Sequence, residues 1–318
     1  MTLLAEDAEA PIAAVIVAYN SADELPALLR SLEASTVGVH AIVVDNGSAD
    51  ASVALARSFA GVTVVPTGAN LGYSGGINVG RGFVRDGQAV AILNPDLVVA
   101  PDALERMLAS LDREGVGVVA PAIRDAAGGP YRGLFREPSL LGALGETLFG
   151  DRWASRPAAL SMTVRDTTAY ERPGAVDWAS GAALLISAAC NAVVGAWDDE
   201  TFFLYWEETD FQRRARAAGF RTVFEPRAVV VHERQASGTS PALEALMAVN
   251  RVRYADKHHS RAWAEGMRAI TASWYLLRAV RRPELRPAAA MLTSRGRWSE
   301  LPGAERMPLP LAVAEEHA

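Results

Sequence analysis

Along the first 125 residues, continuous apolar runs alternate with stretches whose apolar side chains recur every three or four positions. PIAAVIVAYN, HAIVVDNGS, VTVVPTG, AVAILNPD and VGVVAPAIRD read as five strands buried on both faces. Between the first two, Leu25, Leu28, Leu29 and Leu32 fall on one helical stripe. A later helix is expected to start at Pro101, a residue suited to a first turn, and to run to about Arg113. Strands separated by helices imply βαβ units and a mostly parallel α/β sheet.

The strands end in polar residues: AYN, VDNGS and NPD. Open α/β sheets bind ligands outside the carboxyl ends of their strands, so these ends predict the site. The segment from 126 to 175 loses periodicity and reads as a long active-site loop or lid. VDWASGAALLIS then reads as a strand, followed by a short helix ending near Gly195. A helix is expected from about Glu207, with Gly219 as its stop, and RTVFEPRAVVVHE holds one or two strands. Past residue 280, five prolines predict a loosely ordered tail.

Composition adds exclusions. Half the residues are hydrophobic and 21% are charged, as in ordinary globular domains. A single cysteine, Cys190, forbids an intramolecular disulfide and points to a reducing, cytoplasmic setting. The N-terminal residues lack a signal-peptide pattern, and no stretch is apolar enough to span a bilayer. A net charge of −6 argues against nucleic acid as a partner. From Arg251 onward, though, twelve basic side chains face seven acidic ones.

Each candidate has two readings. Asp45 can hold a nucleobase or ribose, or close an Asx-turn before Gly47. Asn70 to Asn78 is a glycine-rich turn leading into a helix, where a diphosphate could approach the backbone. Asn94-Pro95-Asp96 offers one carboxylate for Mg²⁺ or Mn²⁺, or a carboxylate that prepares the next helix. His232, at a strand end, is a second metal-ligand candidate or a structural histidine. Glu207, Glu208 and Asp210 are favoured in a first helical turn by the dipole alone. Asp210 also has Arg213 and Arg214 at salt-bridge spacing, whereas Glu208, beside an aromatic run, suits a general base.

In this order, VAYN, VVDNGSAD, NLGYSGGIN, LNPD, WASGAALLI, FFLYWEETD and His232 resemble the family 2 glycosyltransferases of GT-A fold, over roughly residues 11–240. The Asn94-Pro95-Asp96 form and the long middle segment most resemble bacterial rhamnosyltransferases that act on lipid-linked glycans. It implies an inverting enzyme that moves a sugar from a nucleotide-diphosphate donor to a glycan or polyprenyl-linked acceptor in cell-envelope synthesis. It implies that Tyr19, Asn20, Asp45, Asn70, Gly72, Asn94 and Asp96 surround the nucleotide sugar. Asp96 and His232 would hold a divalent cation, Mg²⁺ or Mn²⁺. Glu208 would be the catalytic base, with Trp178, Ser180, Gly181 and Glu207 toward the acceptor. Two departures stand out: Asn94-Pro95-Asp96 replaces a common DxD, and Glu208 replaces a more usual Asp.

The expected organisation is a GT-A domain over 1–245, with its nucleotide-sugar half about 11–125 and its acceptor half about 126–245. A helical, basic extension follows over 246–318. In that extension Met267, Ile270, Trp274, Leu277 and Val280 lie at helical spacing ahead of Arg281, Arg282 and Arg286. The stretch 263–286 reads equally as a peripheral membrane contact on the inner face of the cell membrane and as a helix packed on the catalytic domain. Two other classes fit an α/β nucleotide binder. A nucleotide-sugar pyrophosphorylase would carry a basic glycine-rich loop near the first strand, where no basic residue precedes Arg30. A non-catalytic binding domain would lack the carboxylates that Asp96 and Glu208 supply.

Overall fold

The computed structural model describes residues 10–150, 152–232 and 240–303. The first half runs β1 (Ile12–Ala18), α1 (Leu25–Glu33), β2 (Val39–Asp45), α2 (Ser52–Arg57), β3 (Val62–Pro66), α3 (Gly72–Arg81), β4 (Ala89–Leu93), β5 (Leu97–Val99), α4 (Ala103–Leu111) and β6 (Val116–Asp125). Next come β7 (Leu134–Phe135), α5 (Leu140–Phe149), β8 (Gly174–Val176), β9 (Trp178–Ala179), β10 (Ala183–Ile186), α6 (Ala188–Val194), α7 (Glu207–Ala217) and β11 (Arg221–His232). The chain closes with α8 (Pro241–His258), α9 (Arg261–Ala279) and α10 (Arg286–Thr293).

One sheet holds the order β3-β2-β1-β4-β10-β6-β11-β5, with β8 paired to β11. β1 to β4 are mutually parallel, while β10 is antiparallel to both β4 and β6. Both faces are covered. Ile12, Ala14, Ile16 and Ala18 pack toward α1 and α4, and Ala13, Val15 and Val17 pack toward α3 and α7. That two-sided burial is why β1 reads as an unbroken apolar run.

Three departures from the sequence reading bear on function. The glycine-rich stretch is mostly helix, since α3 begins at Gly72. Its glycines bring the helix close to the sheet: a Cβ on Gly76 would lie 2.6 Å from Val17 Cγ1. Helical glycine costs about 1 kcal/mol relative to alanine, and this close packing offsets it. Next, β5 follows Asp96 directly and pairs antiparallel with β11, so the helix after it starts at Ala103 and Pro101 belongs to the turn before it. Lastly, 126–175 is not an open loop. It carries α5, which packs against α9 and contributes Ala143 to a cluster with Met162, Ala264 and Met267.

The C-terminal helices form their own core around Val249, Val252, Tyr275 and Leu292. α10 belongs to it, so the chain to Leu301 is packed rather than loose. The rest of the expected tail, 304–318, lies outside the described residues. The buried stripe of α9 is Ala264, Met267, Thr271, Tyr275 and Ala279. Of the expected stripe only Met267 is in it; Ile270 and Trp274 are half-buried at its edge, packed against the clusters formed with α5, α8 and α10. Leu277 and Val280 stay 69% and 79% exposed.

Candidate active site

A cleft of about 670 Å³ opens at the carboxyl ends of β1 and β4. It gathers Tyr19, Asn20, Asn94, Asp96, Ser180, Gly181, Glu207, Glu208 and His232 from five separated stretches of sequence. Asp45, Asn70 and Gly72 do not reach its wall. Asp45 is buried at the end of β2, where its Oδ2 accepts from the Ser48 backbone N–H at 3.2 Å, an Asx-turn. Its Oδ1 is buried with no hydrogen-bond partner among the described residues. Asn70 accepts from the Gly72 N–H at 2.9 Å, and Gly72 lies against Phe203.

On the β1 side of the cleft, Asn20, two residues past the end of β1, adopts a left-handed conformation (φ 50°). Its backbone N–H donates to Ser48 Oγ and its side chain accepts from the Ala49 N–H, joining the loops after β1 and β2. Asp96 and His232 meet because β5 and β11 pair, which sets Leu97 opposite His232. His232 Nε2 lies 2.9 Å from both carboxylate oxygens of Asp96. Among the described residues no group of three or more His, Cys, Asp or Glu side chains is placed to hold a metal. Of this pair the carboxylate is an oxygen ligand of the kind that hard ions such as Mg²⁺ and Mn²⁺ take together with phosphate oxygens and water, and the imidazole suits softer ions better.

At the other end, α7 starts abruptly. Tyr205 and Trp206 both adopt left-handed φ values, 70° and 76°. Such residues cost about 1–3 kcal/mol each and cluster at functional sites. Asn250, fully buried on α8, holds this turn by donating its amide to the carbonyls of Leu204 and Tyr205 at 2.9 and 3.0 Å. Gln212 ties α7 to β9 through both backbone groups of Ala179, each at 2.8 Å. These restraints bring Glu208 against Gly181, where a Cβ would sit 3.0 Å from Glu208 Cβ.

Glu208 Oε2 and Glu207 Oε2 are buried without partners among the described residues. Burial raises the proton affinity of the Glu208 carboxyl above its ordinary value. Glu207 is raised further, by burial and by the neighbouring Glu208 charge. Asp210, one turn on, is opposite in character. It meets Lys257, His258 and Arg214 at 2.6, 2.7 and 2.8 Å. Burial opposes its charge, but these partners hold it at about 2. Arg213, expected to share Asp210, instead pairs with Glu137.

The sequence reading missed Tyr73 and Tyr131. Tyr73 donates to Asn94 Oδ1 at 2.8 Å, and burial with the charges of Glu207, Glu208 and Asp96 pushes its phenol well up. Its position in the first turn of α3 was visible, but not its reach across the cleft. Trp178 lies outside the cleft wall and lines an adjoining cavity of about 280 Å³. Its indole stacks on Phe135 at 4.0 Å, and the cavity shares Tyr205, Glu208 and Met247 with the cleft.

The glycosyl transferase family 2 profile matches residues 13–168. An N-acetylglucosaminyl-diphospho-decaprenol L-rhamnosyltransferase of Mycobacterium tuberculosis is 32% identical over 244 residues, 72% of this chain and 78% of the relative. The low-salt glycan biosynthesis hexosyltransferase Agl10 of Haloferax volcanii is 27% identical over 205 residues, 64% of this chain and 60% of that protein. The architecture is like that of a Pyrobaculum calidifontis mannosyltransferase solved with GDP-Man and Mn²⁺, with TM-score 0.56 and 15% identity over 91% of this chain and 77% of that one. It is also like GalNAc-T7 solved with UDP, GalNAc and Mn²⁺, with TM-score 0.55 and 16% identity over 80% of this chain and 52% of that one. At such low identity the two structures speak for the fold alone, which is of GT-A type.

Proposed function

Because the chain belongs to the family 2 glycosyltransferases, and is thus a sugar-transferring enzyme of glycan synthesis, we propose that it transfers with inversion and that Glu208 is its general base. The observation that carries this reading is a half-buried Glu208 whose Oε2 is buried with no hydrogen-bond partner among the described residues and whose proton affinity is raised, shared by a cleft and a smaller cavity. The donor occupies the cleft and the acceptor sugar the aromatic cavity beside Trp178. Glu208 takes the proton of an acceptor hydroxyl. The freed oxygen attacks the anomeric carbon from the face opposite the nucleotide, and the carbon–oxygen bond to the diphosphate breaks with its electron pair leaving on the phosphate. The transition state is oxocarbenium-like.

Asp96 and His232 are the residues that would hold a divalent cation, with Asn94 held in place by Tyr73. When bound, the ion neutralises charge on the departing diphosphate. The unpartnered Asp45 Oδ1 suits the N–H of a nucleobase, reached if the loop after β2 shifts on binding. The M. tuberculosis relative's name supports rhamnose as the sugar and a lipid-linked N-acetylglucosamine as the acceptor.

The test is to incubate the protein and Mn²⁺ with dTDP-rhamnose, and in parallel with UDP- and GDP-sugars, plus an N-acetylglucosaminyl diphospholipid. The product anomer is then read by NMR. Inversion at the anomeric carbon, and loss of turnover in EDTA restored by Mg²⁺ or Mn²⁺, are expected. Retention would remove the single-displacement mechanism, and full activity in EDTA would remove the cation.

A further inference from the structure

Among the described residues no helix is long and apolar enough to cross a membrane. The exposed apolar side chains are nonetheless unevenly spread. Of the ten large hydrophobic residues that the described structure leaves exposed, seven lie on α5, just after it, or at the end of α9. On α5 they are Leu141, Leu144 and Leu148, whose spacing puts them on one outer face while Ala143 and Thr147 face inward. At the end of α9 they are Leu276 and Leu277, with Val280 just past it. Trp153, 41% exposed, packs edge-on against Phe149 at the rim. Isolated exposed leucines need no explanation, but a contiguous patch does.

The two helices lie side by side. Leu140 packs over Gly266, and Arg278 donates to the Thr147 carbonyl at 3.3 Å. Arg278 also lies over the Trp274 ring, 4.3 Å from its centroid. Burial, and then the neighbouring charges of Arg152 and Arg282, hold Arg278 below its ordinary value, so three guanidinium groups crowd this rim. Arg281 and Arg286, which follow in the sequence, are exposed. Glu284 pairs with Arg282 at the surface, a contact that contributes little.

We propose that the outer face of α5 and the end of α9 dock this enzyme on an anionic lipid bilayer. Leucines with an interfacial tryptophan enter the headgroup boundary, and the arginine rim meets lipid phosphates. This surface extends the lipid-linked-acceptor reading, on which it rests for its use but not for its test. The inner faces of the same helices supply Glu146, Thr271 and Tyr275 to the cavity that contains Glu208. A bilayer under α5 would therefore lie about one helix diameter, roughly 10–12 Å, from that cavity.

The experiment is co-sedimentation of the full chain with vesicles of phosphatidylcholine alone and of phosphatidylcholine with phosphatidylglycerol, in low and high salt. The protein should pellet with the anionic vesicles at least ten-fold more than with the neutral ones, and should release as salt rises. Arg281→Gln with Arg282→Gln should weaken binding about ten-fold or more, and Leu141→Ser with Leu148→Ser should do the same. All four positions are exposed, so both variants should keep the wild-type melting temperature and rate of donor hydrolysis. Equal pelleting with both vesicles, or none, would overturn the proposal. So would a dimer in sedimentation equilibrium that the leucine variant dissolves, since a second copy would then cover the face. No vesicle result depends on Glu208, so this proposal and the assignment of the base fail separately.

Discussion

The first turn of α7 places two carboxylates in opposite circumstances. Glu208 faces the cleft, is half-buried with an Oε2 that is buried and has no partner among the described residues, and holds its proton more tightly than an ordinary glutamate. Asp210 faces α8, is fully buried, and is surrounded by Lys257, His258 and Arg214. Both are acids at a helix N-terminus, and the helix dipole favours both. What separates them is what the rest of the chain brings to each. Asp210 is a structural anion that fixes α8 to α7. Among the described residues Glu208 has no ion-pair partner, which costs stability and suits a group that must accept a proton.

The widest test of that contrast exchanges the two losses. Glu208→Gln should lower turnover by about 10²–10⁴-fold, the usual worth of a general base, with donor affinity kept. Asp210→Asn should instead lower stability by about 3–5 kcal/mol, the cost of breaking a buried pair, because Arg214 and Lys257 lose a buried anion and His258 a hydrogen-bond partner. Its turnover per folded molecule should stay within a few-fold of wild type. Kinetics and chemical denaturation on both variants check the pair, and a large catalytic loss in Asp210→Asn at full stability would erase the distinction.

A smaller effect is expected at Asn250, whose amide pins the strained Tyr205–Trp206 turn. Asn250→Leu frees that turn and lets Glu208 drift. Turnover should fall about ten- to a hundred-fold, as displacement of a catalytic group by about 1 Å does, with donor affinity unchanged. Unchanged turnover would mean that the turn holds itself.

The smallest effect is on pH-dependent stability. The Glu207 carboxyl has its proton affinity raised in the folded state, so its contribution is fully present below the ordinary value of 4.5 and is lost as pH rises through the raised one. Glu207→Gln should therefore raise the melting temperature at neutral pH and leave it unchanged near pH 4. For Asp210 the sign reverses: its contribution is present above 3.8 and is lost as pH falls toward about 2. Melting curves across this range check both signs.

The same division explains what the sequence made legible. The strand ends of the nucleotide half were readable because apolar runs ending in AYN, VDNGS and NPD are local signals. So was the start of α7 near Glu207. β5 was not, since three apolar residues after Asp96 continue a run that already reads as a strand and its partner is far along the chain. Yet β5 is what brings Asp96 to His232. The strained turn was also hidden. Tyr205 and Trp206 do not favour left-handed backbone, and the restraint comes from Asn250 on another element. α5 contains two glycines, which made LLGALGETLF read as loop; tertiary packing on α9 overrides that preference.

The most direct test of the central claim, that Glu208 works as a base of raised proton affinity, is the pH dependence of kcat/KM in wild type and in Glu208→Gln. The wild type should lose activity as pH falls through one ionisation above the ordinary glutamate value of 4.5, since only the deprotonated form accepts the acceptor's proton. That acid limb should be missing from the residual activity of Glu208→Gln. The same limb persisting in the variant would place the essential base on another residue and contradict the account.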